Sequence, residues 1–197
     1  MAVIGITGGI ASGKSTFTRL VAEQISAEIF DADAEVRRFL ESDLEVQREV
    51  LRDIGSVAYR EDGALDRDAI RAIVFTNKEA KARLESILHP RVRARWVSLA
   101  SEPRDQAKLL LVDIPLLFET GAEVFCDSVV TIVCSEKIQF ERIAKRGLVH
   151  EDAQRIIASQ MPSAEKIARS THVVWNDGSL MTLAMQSQEL AERLALP

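Results

Sequence analysis

The stretch "IGITGGIASGKST", Ile4 to Thr16, decides the fold. Gly8, Gly13, Lys14 and Ser15 satisfy G-x-x-x-x-G-K-S/T in full, an apolar run precedes them and a helical pattern follows. That context is the one a phosphate-binding loop requires. Glycines let the backbone turn tightly and direct several N–H groups inward. The helix that follows presents its positive end, where phosphate is favoured. Lys14 would reach the β- and γ-phosphates as a mobile charge, and the Ser15 hydroxyl would ligate Mg²⁺. A plain strand-to-helix turn would not need every one of these positions. The chain is expected to bind a nucleoside triphosphate.

Working outward, five short runs rich in Val and Ile carry the strand signal: Ala2–Thr7, Ala27–Asp33, Lys108–Pro115, Ser128–Cys134 and Thr171–Asn176. The first, third and fourth are nearly continuous apolar runs, as in central strands of a parallel sheet covered on both faces. Helical patterns separate them. One is expected from the GKS turn to about Ile25, and a block without strands follows Asp33. That block reads as helices over Ala34–Leu40, Leu44–Ile54, Asp66–Phe75, Lys78–Leu88 and Pro90–Ala100. Thr76 and Glu79 read as a capping-box pair, Pro90 as a first helical residue, and Tyr59–Asp68 as a turn centred on Gly63. This order of elements predicts an α/β fold with a helical insertion after the second strand.

Composition narrows the function. The 197 residues are 47% hydrophobic and 28% charged with a net charge of −5, which suits one domain with a real core. An acidic chain gives no support for nucleic-acid or anionic-membrane binding, although a local basic pocket remains compatible. No segment approaches the roughly 20 apolar residues of a membrane span, and no signal peptide is read at the N-terminus. The two cysteines, Cys126 and Cys134, read as reduced buried thiols, and His89, His150 and His172 show no metal-ligand spacing. A cytoplasmic location and a monomer are expected, with no nucleic acid and no membrane as partner.

A base-reading N-K-x-D segment is missing: "NKEA" at Asn77–Ala80 lacks the aspartate, which weakens a GTPase reading. A small-molecule kinase needs a base for the acceptor hydroxyl and cations over the transferring phosphoryl. Asp31 and Asp33 close the second strand, where i and i+2 share a side of an extended chain. Either carboxylate could face the loop, or Asp33 could simply cap the next helix. Asp113 ends the "LLLVD" strand, placed for the Mg²⁺ neighbourhood or as a solvated strand end. Arg142, Lys145 and Arg146 share one helical face, with Arg155 in the next helix. They suit phosphate, or form a solvated basic face.

Several separated motifs together resemble the dephospho-coenzyme A kinase family, end to end. They are "GITGGIASGKST" (Gly5–Thr16), "DAD" (Asp31–Asp33), "DGALDRDAIRAIVF" (Asp62–Phe75), "LHPRVR" (Leu88–Arg93), "DIPLLFE" (Asp113–Glu119), "QFERIAKR" (Gln139–Arg146), "RIIASQM" (Arg155–Met161) and "NDG" (Asn176–Gly178). The resemblance implies a P-loop NTPase of the nucleoside-monophosphate-kinase-like type, with a five-stranded parallel sheet flanked by helices. It implies a core of 1–33, 107–140 and 161–197, a helical coenzyme-binding subdomain of 34–106 and a small lid of 141–160. The implied substrates are ATP with Mg²⁺ and the ribose 3′-hydroxyl of dephospho-coenzyme A.

By the same resemblance, Gly8, Gly9, Ala11, Ser12, Gly13, Lys14, Ser15 and Thr16 would cradle ATP. Asn176 and Gly178 would lie on the adenine side. Asp33 resembles the general base. Thr7, Asp31, His89, Pro90, Leu116 and Leu117 look like acceptor-side elements. Lys14, Arg142 and Arg146 would act on the phosphoryl, and Ser15 and Asp113 would hold the metal. The sequence departs from the family pattern in four places. Ala11 stands for a common glycine, Ser170-Thr171 for Ala-Asp, Ile167 for a basic residue, and Trp175 precedes the asparagine.

Overall fold

The computed structural model describes residues 2–25, 27–102 and 109–194. Five parallel strands form one sheet in the order β2-β3-β1-β4-β5. They are β1 (Val3–Gly8), β2 (Ala27–Asp31), β3 (Leu109–Asp113), β4 (Ser128–Val133) and β5 (His172–Trp175). The expected strands are all there, within two residues at most ends. Lys108, where one was expected to begin, and the 106/107 boundary lie outside the described residues. Every residue of β1 is buried, as its unbroken apolar run requires of the central strand.

The chain divides into two compact units, Met1–Asp31 with Ala100–Pro197, and Ala32–Leu99. The first holds the sheet with α1 (Lys14–Gln24), α6 (Glu136–Lys145), α7 (His150–Ala158), α8 (Ser163–Arg169) and α9 (Leu180–Leu194). Its core joins Ile4, Ile6, Leu111, Val130, Ile132 and Val174 of the strands to Phe17 and Val21 of α1 and Leu183, Leu190 and Ala191 of α9. Burying such side chains stabilises each by about 1.5–3 kcal/mol, so this face fixes the strand from which the phosphate loop springs.

The second unit is helical: α2 (Ala32–Ser42), α3 (Leu44–Asp53), α4 (Arg67–Thr76) and most of α5 (Lys78–Ser101). It buries Phe39, Leu40, Val46, Val50, Leu84, Ile87, Leu88, Val92 and Trp96. Asp43 caps α3 through the Glu45 and Val46 amides, and Asp66 caps α4 through Ala69 N at 3.0 Å. The Gly63 turn closes with φ +81°, a left-handed geometry that glycine adopts without a Cβ penalty.

Three local expectations are corrected. The segment "DAD" is not one extended run: helix α2 begins at Ala32, so Asp31 ends β2 and Asp33 sits in the first turn of α2. Pro90 does not start a helix. It lies inside a single helix, α5, of 24 residues, where its missing N–H leaves the Ser86 carbonyl without that partner. The buried Leu84, Ile87, Leu88, Val92 and Trp96 on one face outweigh that loss. The cap of α5 is Asn77, whose side-chain oxygen accepts from Glu79 N and Ala80 N at 3.0 Å each. The Thr76 hydroxyl instead donates back to Ala72 O at 2.8 Å, inside α4.

Candidate active site

The phosphate loop lies at the carboxyl end of β1, and it is held from outside by its carbonyls. Gln139 Nε2 donates to Ile10 O at 2.8 Å, Asn176 Nδ2 donates to Ser12 O at 2.7 Å, and Arg142 Nη1 reaches Ser12 O at 3.3 Å. Gln160 Oε1 accepts the Ile10 amide at 3.0 Å. Anchored at both peptide groups of Ile10 and at Ser12 O, the loop is held in shape by protein hydrogen bonds. Preorganised amides are what charge stabilisation needs. Glycine is required at two points. A Cβ on Gly13 would stand 2.2 Å from Asn176 Nδ2, with φ already at +94°, and a Cβ on Gly8 would stand 2.3 Å from Ile132 O.

Ala11 occupies the left-handed region at φ 59° although it is not glycine. Its buried methyl packs with Ile143 of α6 and Ala153 of α7, beside Ile10, Phe140, Leu148 and Ile157. The left-handed conformation costs an alanine about 1–2 kcal/mol. The buried methyl returns about 0.8 kcal/mol and alanine loses less chain entropy than glycine by about 0.5–1 kcal/mol. These terms nearly cancel, which explains how alanine stands where glycine is common. Ala11→Gly is therefore expected to leave the urea midpoint almost unchanged. Ala11→Val, with a branched Cβ at positive φ, is expected to lose at least about 2 kcal/mol in the same titration.

Three neighbouring strand ends bring polar groups together. Asp113 closes β3 in register with Ile6 of β1 and Asp31 of β2. The Asp113 carboxylate is 3% exposed and forms an ion pair with Lys14 Nζ. Thr18 Oγ1 donates to Lys14 O at 3.1 Å, and also lies 3.5 Å from Asp113 Oδ2. The lysine is thus held at the mouth of the loop by a buried counter-charge. Ser15, at the start of α1, is exposed. Ser12 Oγ is buried without a hydrogen-bond partner among the described residues. An orphaned hydroxyl inside a phosphate loop fits a site completed by an anion's oxygens.

The remaining expected residues differ in burial and in partners. Asp33 is exposed in α2. His89 is half-buried on α5, where burial, ahead of the opposing Glu85 charge, pushes its imidazole below the ordinary value; Pro90 is exposed. Leu117 is fully buried and forms core against Gly5, whereas Leu116 is partly exposed. Thr7 is buried, and its hydroxyl donates to Pro115 O at 3.0 Å. Arg142 faces the loop, but α6 ends at Lys145, so Arg146 is an exposed C-cap residue off the regular helix. Arg155 lies 3.5 Å from Asp152 of its own helix. Asn176 is buried against the loop carbonyl, and exposed Gly178 follows it.

Sequence reasoning gave no roles to Gln139 and Gln160, although both stand in the quoted motifs. Nor did it find Asp177, which accepts Ser135 N at 2.7 Å and so ties the "NDG" loop to the start of α6. That amide, first among its causes, holds the Asp177 carboxyl below the usual carboxylate range. The departures at 170–171 do structural work. Thr171 Oγ1 accepts Val129 N at 3.1 Å, and Ser170 Oγ donates to Lys166 O at 2.6 Å. Burial pushes the Cys126 thiol up to about 12, leaving it an inert small hydrophobe.

The arrangement resembles known proteins over its whole length. The dephospho-CoA kinase family profile matches residues 2–182. A dephospho-CoA kinase of Anaeromyxobacter dehalogenans is 41% identical over 192 residues, covering 96% of this chain and 90% of the relative. The crystal structure of TT1252 from Thermus thermophilus superposes with a TM-score of 0.80 at 32% identity, covering 98% of this chain and 97% of that one. Dephospho-CoA kinase from Campylobacter jejuni superposes with a TM-score of 0.71 at 27% identity, covering 98% and 96%. The fold is that of the P-loop kinases.

Proposed function

The chain belongs to the dephospho-CoA kinase family, and on that premise we propose that it transfers the γ-phosphoryl of ATP to the ribose 3′-hydroxyl of dephospho-coenzyme A, giving coenzyme A and ADP. The observation that carries the reading is the loop itself. Its peptide groups are fixed by Gln139, Gln160 and Asn176, and its lysine is held at the mouth by Asp113. Such a site has little covalent chemistry to perform, because phosphoryl transfer is driven by positioning and charge stabilisation.

In this reading Gly8, Gly9, Ala11, Ser12, Gly13 and Thr16 bind the triphosphate through the loop and the start of α1. Lys14 neutralises charge spread over the phosphoryl oxygens. Ser15 and Asp113 would hold Mg²⁺, which would supply positive charge against the triphosphate. Both offer hard oxygen donors, which suit that ion. Among the described residues no group of three His, Cys, Asp or Glu could hold a metal.

Asp33 orients the acceptor hydroxyl and takes its proton, with Asp31, Thr7, His89, Pro90 and Leu116 on the acceptor side. Residues 34–106 serve the coenzyme and 141–160 form the lid around a core of 1–33, 107–140 and 161–197. Arg142 braces the loop and, with Arg146, meets the transferring phosphoryl. Asn176 and Gly178 border the nucleotide. We take the working protein to be a cytoplasmic monomer without nucleic-acid partners; among the described residues no helix is long and apolar enough to cross a membrane.

Arg146 gives a sharp check of the lid. A hydrogen bond to a charged group contributes about 1.5–3 kcal/mol, so Arg146→Ala is expected to lower kcat at least about tenfold. Exposed as it is, the same change leaves the thermal midpoint within about 1 °C. The function itself is tested by ADP release from ATP·Mg²⁺ with and without dephospho-coenzyme A. Release that depends on the acceptor supports a kinase with a water-excluding lid. Rapid hydrolysis without acceptor contradicts it.

A further inference from the structure

Lys166, on α8, is 1% exposed, the deepest charge among the described residues that the mechanism above does not use. Its Nζ donates to Pro115 O at 2.9 Å and pairs with Glu119 Oε1 at 2.9 Å. Both partners belong to "DIPLLFE", the segment that follows β3. A buried ammonium is costly, and a well-packed apolar side chain of similar size would often serve stability as well or better. Its partners also answer elsewhere. Pro115 O accepts the Thr7 hydroxyl at 3.0 Å, and Glu119 Oε1 accepts Met161 N at 2.7 Å. Met161 adjoins Gln160, which holds the Ile10 amide of the phosphate loop. One ammonium therefore joins the end of β1, the segment after β3 and the end of the proposed lid.

We propose that Lys166 is a positioning residue for the acceptor side of the site: it fixes the course of residues 113–119 relative to the phosphate loop. The sheet order gives the side. Strand β3 lies between β1, which carries the loop, and β2, which ends in Asp31. The segment after β3 therefore borders the acceptor half, away from β4 and β5. The proposal rests on the kinase reading above.

The test compares wild type, Lys166→Met and Glu119→Gln in the full chain. It measures kcat/KM for dephospho-coenzyme A at saturating ATP·Mg²⁺, KM for ATP at saturating acceptor, and the urea midpoint. Lys166→Met is expected to fold, because Pro115 O keeps the Thr7 hydroxyl and Glu119 keeps the Met161 amide. A misplacement near 1 Å costs about 10²-fold, so kcat/KM for the acceptor should fall by about that factor. KM for ATP should stay within about twofold, since Gln139, Gln160 and Asn176 still hold the loop. Glu119→Gln, which keeps an acceptor for Met161 N, should show the same selective loss at about tenfold, and it decides the matter if Lys166→Met does not fold. A lower urea midpoint with both kinetic constants unchanged would make Lys166 a purely structural ion pair and overturn the proposal. A wild-type protein without coenzyme A formation would overturn the kinase reading and the proposal together, an outcome distinct from an active wild type with unselective variants.

Discussion

Lys14→Met is expected to lower kcat by about 10³-fold, the upper range for removing one preorganised charge-stabilising donor from a water-excluded site. It is also expected to destabilise the fold. The Asp113 carboxylate, 3% exposed, is left buried with a neighbouring Thr18 hydroxyl at 3.5 Å. Removing one member of a buried pair costs about 3–5 kcal/mol. The stability effect is isolated in the double variant Lys14→Met/Asp113→Leu, where no charge is stranded; its turnover also carries the loss of the proposed metal ligand Asp113. Urea unfolding should recover most of the lost stability, while steady-state turnover stays low. A double variant that regained turnover with stability would mean that Lys14 only satisfies Asp113.

The second large effect concerns Asp33. General bases contribute about 10²–10⁴-fold, so Asp33→Asn should lower kcat within that range. The substitution keeps size and hydrogen bonding but removes the basic lone pair. Asp33 is exposed in the first turn of α2, so the thermal midpoint should barely move. ATP affinity should hold within about twofold, because the asparagine leaves the phosphate loop untouched. A kcat within about threefold of wild type would remove Asp33 from the proton transfer.

The sheet was legible because apolar runs flanked by polar turns leave few alternatives. A central parallel strand must be apolar on both faces, and "AVIGIT" and "SVVTIVC" are. The phosphate loop was legible because its chemistry is local. Glycines, lysine and serine within eight consecutive residues suffice to describe it. The break expected at Pro90 failed for the opposite reason. Proline is a local signal, whereas the apolar face that carries α5 through it extends from Leu84 to Trp96. The Thr76–Glu79 pair failed because Asn77, one residue later, itself accepts from the Glu79 and Ala80 amides.

The braces of the loop were the least legible. Gln139 and Gln160 lie 129 and 150 residues from Ile10, and their role appears only when α6 and α7 fold back. A glutamine in a helix carries no local signature of the carbonyl it will hold. Asn176 was placed near the nucleotide by resemblance, yet its side chain is spent on Ser12 O, which Gly13 must be glycine to permit. The buried Lys166 was equally silent, because "SAEKIAR" reads as an ordinary amphipathic turn until Pro115 and Glu119 are seen beside it.

The central claim, that the acceptor is the ribose 3′-hydroxyl of dephospho-coenzyme A, is tested most directly by incubating the protein with ATP·Mg²⁺ and that acceptor. Adenylate, gluconate and shikimate serve as parallel acceptors, with mass detection of every product. ADP and coenzyme A are expected in equal amounts, with the added phosphate on the 3′ position, and no comparable product from the other acceptors. Turnover of one of those acceptors, with dephospho-coenzyme A left unchanged, would contradict that claim.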